Sequence, residues 1–205
     1  MADYTTALAV RSLATDSGFT TDTSYDTLLG SLITAASRMI DRYVGGWDNY
    51  FASSTDDETR YYNGSGTDEL DIDASISITS VSVAEDGGRA ATDYTDWTVT
   101  TDYYTHPYNA LPIRRLIVEE DGDKYGFHRS RKSVKVTGRF GYSESAPADV
   151  ALACQIQVSR WFMRAKGSFQ DASAAASVGQ IMYTKELDPD VKNLLHHYRV
   201  MNEGL

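Results

Sequence analysis

One cysteine, Cys154, occurs in 205 residues, so no internal disulfide can form and no framework of bridges holds the chain together. That scarcity fits folding in a reducing compartment. No stretch reaches the roughly 20 consecutive apolar residues that a membrane-crossing helix needs. The opening Met1-Ala2-Asp3-Tyr4 lacks the basic segment and apolar run of a secretion signal. A soluble product of the cytoplasm with no membrane partner is therefore expected. Cations are short in one half: residues 1–110 carry 5 Lys or Arg against 18 Asp or Glu, residues 111–205 carry 14 against 11, and the net charge is -10. A protein that grips nucleic acid carries a basic surplus on some face. The acidic balance argues against tight DNA binding and suits a surface past which DNA slides without sticking.

What is present is ordinary globular material, 41% hydrophobic and 23% charged. At this length one core can bury roughly 70% of the unfolded surface, enough to hold a single domain over 1–205 without metal or disulfide. Four helices are expected, at 5–14, 24–44, 147–166 and 188–202. The second is the clearest, with Leu29, Leu32, Ile33, Ala36, Ile40 and Tyr43 at helical three-and-four spacing. Thr23 to Asp26 has the form of a capping box, and Gly45-Gly46 supplies the stop. In the third, Ala151, Cys154, Val158, Trp161 and Ala165 make one line that Leu152, Ile156, Phe162 and Met163 widen, which implies contacts on more than one side. The last opens on Asp188-Pro189-Asp190, an N-cap followed by a first-turn proline.

Between the second and third helices the period falls to two. Strands are expected at 59–62, 77–84, 94–100, 114–118 and 133–137, within a β insertion over about 59–139. Asn63-Gly64-Ser65-Gly66, Asp86-Gly87-Gly88 and Asp121-Gly122-Asp123 punctuate them. The fold class is α+β: a small helical bundle with an antiparallel sheet inserted between its second and third helices. Residues 167–179, small and polar, read as a flexible loop.

Chemistry is thinly signalled. His196 and His197 are adjacent on a helix, so their side chains point about 100° apart and do not converge on one ion. Glu69, Asp71 and Asp73 line one face of a strand, but a calcium loop's glycine and terminal glutamate are missing, so a solvated acidic face is expected. No nucleophile elbow or phosphate-cradling glycine loop occurs. Cys154 falls on an apolar helical line and reads as an inert core thiol. Neither catalytic residues, a metal site nor a cofactor is expected. A basic run, Lys124, Arg129, Arg131, Lys132, Lys135 and Arg139, with Tyr125, Phe127 and His128 interleaved, suits phosphates or an acidic protein partner, and Lys124, Arg129, Arg131 and Lys132 are its candidate contacts. The opposing reading is a solvated loop balanced by its own Glu119, Glu120, Asp121 and Asp123.

Three stretches carry a resemblance. They are Leu32-Ile33-Thr34-Ala35-Ala36-Ser37-Arg38-Met39-Ile40-Asp41-Arg42-Tyr43-Val44-Gly45, then Thr59-Arg60-Tyr61-Tyr62-Asn63-Gly64, then Val134 to Tyr142 leading into Pro147-Ala148-Asp149-Val150. In this order, with the Leu187 to Val191 helix start, they resemble the head-tail connector (adaptor) proteins of tailed bacteriophages. The Tyr-rich stretches Ala90 to Tyr108 and Asp121 to Lys132 depart from that pattern. The resemblance implies a non-enzymatic virion subunit at the neck, assembled in host cytoplasm. It would form a ring, a dodecamer, beneath the portal protein, pass double-stranded DNA, and meet a downstream stopper or tail-completion protein. It also implies that the C-terminal helix reaches the portal, with Leu194, Tyr198 and Met201 as docking residues. Two other classes stand beside it. One is a carbohydrate- or surface-binding module using Tyr94, Trp97, Tyr103, Tyr104 and Tyr108, the other a metal-dependent hydrolase using Asp71 or Asp73.

Overall fold

A computed structural model of the chain describes residues 2–13, 25–84, 94–166, 173–174, 181–182 and 187–199. Its elements run α1 (Ala7–Leu13), α2 (Asp26–Val44), β1 (Glu58–Tyr62), β2 (Glu69–Val83), β3 (Thr95–Trp97), β4 (Tyr103–His106), β5 (Ile113–Val118) and β6 (Val134–Phe140). After these come α3 (Ala148–Lys166), β7 (Ser173–Ala174), β8 (Ile181–Met182) and α4 (Pro189–Leu195). Four helices and a six-stranded antiparallel sheet, counted among the described residues, make the chain α+β. It divides into two compact units, residues 1–49 with 146–205, and residues 50–145.

In the helical unit, the apolar stripe of α2 buries Leu29, Ile33, Ala36, Ile40 and Val44. Helix α3 packs against α1, α2 and α4, which explains the width of its apolar face: Val150, Ala153, Cys154, Val158 and Phe162 are all buried. Each such large side chain contributes about 1.5–3 kcal/mol on burial. Leu152 and Met163 stay on the surface. Gly45 ends α2 in the left-handed conformation, φ 81°, which costs glycine nothing.

Two helix expectations need correction, the capping box of α2 and the length of the last helix. The start of α2 uses Tyr25 as N-cap with no side-chain hydrogen bond, and Thr23 lies outside the described residues. Asp26, expected to close a capping box, instead pairs with Arg11 at 2.7 Å and so ties the end of α1 to the start of α2. The last helix does not run to 202: α4 stops at Leu195, a single tight turn covers His196–Tyr198, and Arg199 is extended. That turn brings the Tyr198 hydroxyl to the Asp149 carboxylate, 2.8 and 2.9 Å from its oxygens. At the other end Asp188 caps α4 by accepting the Asp190 N–H at 2.9 Å.

Buried within α2 is an ion pair, Arg38 with Asp41, their side chains 8% and 1% exposed. Such a pair survives only when further hydrogen bonds satisfy both ions. Asp41 accepts from the Tyr4 hydroxyl and, at 3.0 Å, from the Asn49 N–H. Arg38 donates to the Ala2 carbonyl at 2.8 Å and to the Asn49 side-chain oxygen. Ser37 next to it accepts the Tyr4 N–H at 3.1 Å. The polar half of the Ser37-Arg38-Met39-Ile40-Asp41 stretch thus fastens residues 2–4 to the helix.

The sheet has strand order β1-β6-β2-β5-β4, and β3 pairs β2 at Val81 to Val83, along the same edge as β5 and beyond it. Two expectations change here. The strand expected at 77–84 begins at Glu69, because β2 is long enough to pair β5 in its first half and β6 in its second, slipping register as it passes. Tyr103–His106 forms a strand of its own, β4, paired with β5. A further two-stranded ribbon, β7 with β8, lies between α3 and α4. Its β7 falls inside the expected loop 167–179, the rest of which lies outside the described residues. Alternation is plain along β6, where Val134, Val136 and Phe140 point inward.

The Arg38 pair makes a direct prediction. Replacing Asp41 with Ala strands a buried guanidinium and should lower unfolding stability by about 3–5 kcal/mol in urea titrations. The double variant Arg38→Met/Asp41→Ala should lose less than the single one. Equal losses would show that the charge left behind is not what destabilises the single variant.

Candidate interaction surface

Of the basic run, Lys135 and Arg139 lie on β6, while Lys124, Arg129, Arg131 and Lys132 lie on the connection between β5 and β6, which is pinned. The turn after β1 grips it through backbone bonds: Gly64 N–H to the Ser130 carbonyl at 3.0 Å, Gly66 N–H to Phe127 at 2.8 Å, and Phe127 N–H to Thr67 at 2.9 Å. The Asn63 side chain accepts the Lys132 N–H at 2.9 Å. Ser133, fully buried, accepts the Gly64 N–H at 2.9 Å and lies 3.1 Å from the carbonyl oxygens of His128 and Ser130. A Cβ on Gly64 would stand 1.9 Å from the His128 carbonyl oxygen, so only glycine permits this approach. Phe127 is the apolar anchor, fully buried and stacked on Trp97 with ring centroids 5.2 Å apart.

On that framework Arg129, Arg131 and Lys132 are exposed, and among the described residues no ion pair holds their side chains. Lys124 differs, its ammonium 5.9 Å above the Trp97 ring. The acidic half of the connection is fastened elsewhere. Glu119 donates its N–H to the Asp102 carbonyl at 3.0 Å, and hydrogen bonding to its carboxylate, then its charge, raises the Tyr104 hydroxyl above its ordinary value. The two halves are therefore anchored to different turns. A cleft of about 640 Å³ is lined by Trp97, Val83, Lys124, Tyr125, Phe127 and Arg129 among others.

The acidic strand face is not merely solvated. Arg115 lies across the ladder from Asp71 and reaches both Asp71 and Glu69 at 2.6 Å. Arg60 holds Asp73 at 2.8 Å, and the Tyr62 hydroxyl donates to Asp73 at 3.0 Å. These carboxylates face cations already present. Among the described residues, no group of three or more His, Cys, Asp or Glu gathers as a ligand set.

The remaining residues singled out from sequence are scattered. Leu194 is half-buried on α4, Tyr198 is half-buried on Asp149, and Met201 lies outside the described residues. His196 and His197 are exposed, the latter 3.4 Å from Asp149. Of the Tyr-rich set, Trp97 and Tyr103 belong to the core. Tyr94 packs against Tyr61, and Tyr104 meets Tyr108 edge-on at 6.3 Å. That arrangement offers no flat stacking platform of several rings. Ser133 and Phe127, which build the basic surface, carry no sequence signal beyond the Asn63-Gly64 turn they grip.

No family model matches the sequence, and no curated protein matches it. The fold has a counterpart among solved structures. A chain of the "Virion of native gene transfer agent (GTA) particle" superposes with a TM-score of 0.57 at 18% identity, over 94% of this chain and 87% of that one. The likeness is one of fold and spans almost the whole of both chains.

Two measurements test this geometry. Ser133→Ala removes the hydroxyl that accepts the Gly64 N–H and meets the His128 and Ser130 carbonyls, leaving that N–H the Ser130 carbonyl alone, a cost of about 0.5–1.5 kcal/mol. Tryptic cleavage at Arg129, Arg131 and Lys132 should accelerate while the far-ultraviolet spectrum is unchanged. The buried Cys154 thiol supplies the second. Burial pushes it up to about 12 from 9.0, the nearby Ser37 hydroxyl opposing. A raised value means the folded state keeps a proton that the unfolded state releases. The contribution is full below pH 9.0 and is lost as pH rises toward about 12. Cys154→Ala should flatten the alkaline decline in stability, and the wild-type thiol should resist disulfide reagents until the chain unfolds.

Proposed function

We propose that this chain is a structural subunit of a virion, a ring component at the neck that sits beneath the portal, extends the DNA channel and joins head to tail. The observation that carries the reading is the fold shared along nearly its full length with a chain of a virion particle. The connector-like stretches support it, since their polar residues are those that build the unit: Ser37, Arg38 and Asp41 fasten the N-terminal segment, and Asn63-Gly64 grips the basic loop. The net charge of -10 suits passage of double-stranded DNA without adhesion. The work is assembly rather than turnover. Portal docking falls to the end of α4, where Leu194 is half-buried and its neighbours His196 and His197 are exposed.

Mixing the chain with the portal protein of its own particle and weighing the product tests the reading. The expected result is a portal ring carrying a second ring of about twelve copies, weakened when Leu194 is replaced by Glu. A chain that stays monomeric beside the portal at all concentrations overturns it.

A further inference from the structure

The basic loop and an acidic cluster sit at opposite ends of the same strand pair. Strands β1 and β6 run antiparallel, Glu58 opposite Gly138 and Tyr62 opposite Val134. Beyond the Tyr62 end come Asn63 and, held by it, Arg131, Lys132 and the loop back to Arg129. Beyond the Glu58 end come Asp56, Asp57 and, from the other strand, Glu144. Ser53 and Ser143 join across that end by a 2.9 Å backbone bond, and Arg139 reaches the Ser54 carbonyl at 3.0 Å and Glu144 at 3.6 Å. Asp56 and Asp57 are exposed and form no ion pair among the described residues, like Arg129, Arg131 and Lys132.

Five strand residues separate the two ends by roughly 17 Å. That is about twice the screening length of 8 Å at physiological salt, so neither end neutralises the other within one copy. From this we infer that the basic end, Arg129, Arg131 and Lys132, docks on the acidic end, Asp56, Asp57 and Glu144, of a second copy of the chain. Complementary patches at distinct places on one subunit are what a head-to-tail contact requires, and such contacts close into rings when the rotation closes. A nucleic-acid partner fits less well, because a duplex approaching the basic end also meets the acidic surplus of the whole chain. The inference rests on the ring reading and assigns one of its contacts.

Two triple variants of the full chain test it, Arg129→Glu/Arg131→Glu/Lys132→Glu and Asp56→Lys/Asp57→Lys/Glu144→Lys, with folding confirmed by circular dichroism. Self-association of the wild type, read by sedimentation, should weaken in ~1 M salt, where screening acts within about 3 Å. Each variant alone should associate at least ~10-fold more weakly. Mixed in equal amounts they should recover, because every contact then again joins opposite signs. If the wild type assembles and both variants assemble equally well, the inference fails and the ring reading stands. If the wild type stays monomeric alone and on the portal, both fail. If the variants assemble normally and the basic-end variant loses retention of a short DNA duplex that the wild type holds, the surface belongs to phosphate instead.

Discussion

A guanidinium and a carboxylate shut away from water within one helix set the constraint on which the helical unit depends. Arg38 and Asp41 repay their desolvation only if further groups fill hydrogen-bonding positions beyond the pair, and most are filled, the Arg38 Nε staying without an acceptor among the described residues. The fillers are not in the helix. They are Ala2, Tyr4 and Asn49, residues before and after it in the chain. The helix buries Ile33, Ala36 and Ile40 and packs on α3, and the same helix holds the N-terminal segment through this cluster. Burial of apolar surface drives such packing without direction, whereas this cluster specifies one arrangement.

The sheet unit meets the same physics with the opposite result. Its inward face is apolar by simple alternation, and several of its charged residues pair in the open, Arg115 with Glu69 and Asp71 and Arg60 with Asp73 across strands, and Arg60 with Glu58 along its own strand. Exposed pairs of this kind contribute about 0–1 kcal/mol each. They stabilise little, but they decide which charges remain for a partner. Arg60 and Arg115 are taken up by the acids of the sheet, whereas Arg129, Arg131 and Lys132 on the Ser133-anchored loop form no ion pair among the described residues.

How much of this was legible in the sequence follows from the range of each interaction. Helix α2, the Gly45 stop and the Asp188 cap are local patterns and could be read directly. The buried role of Asp41 could not, because its hydroxyl donor lies 37 residues away at Tyr4. Asp71 looked like part of a bare acidic face because its guanidinium partner is 44 residues distant. Strand β4 escaped notice since four residues with a single buried side chain, Tyr103, give too short an alternation to separate from a loop. The basic run was visible as composition. Its rigidity was not, since backbone groups, the Ser133 hydroxyl and the Asn63 side chain supply it.

Rigidity is what turns that composition into a surface. A mobile loop carrying Arg129, Arg131 and Lys132 would bend toward the nearest carboxylates, and Asp121 and Asp123 lie only a few residues away along the chain. The backbone bonds to Gly64, Gly66 and Thr67 forbid that collapse, since each would have to break before the loop could turn. A buried donor or acceptor left unmade costs about 1–3 kcal/mol, more than a surface ion pair returns. The cheaper state keeps the bonds and leaves the charges unpaired. Attraction that the fold denies within one copy stays available to a partner, and the partner's contribution then appears as assembly instead of as stability of the single chain.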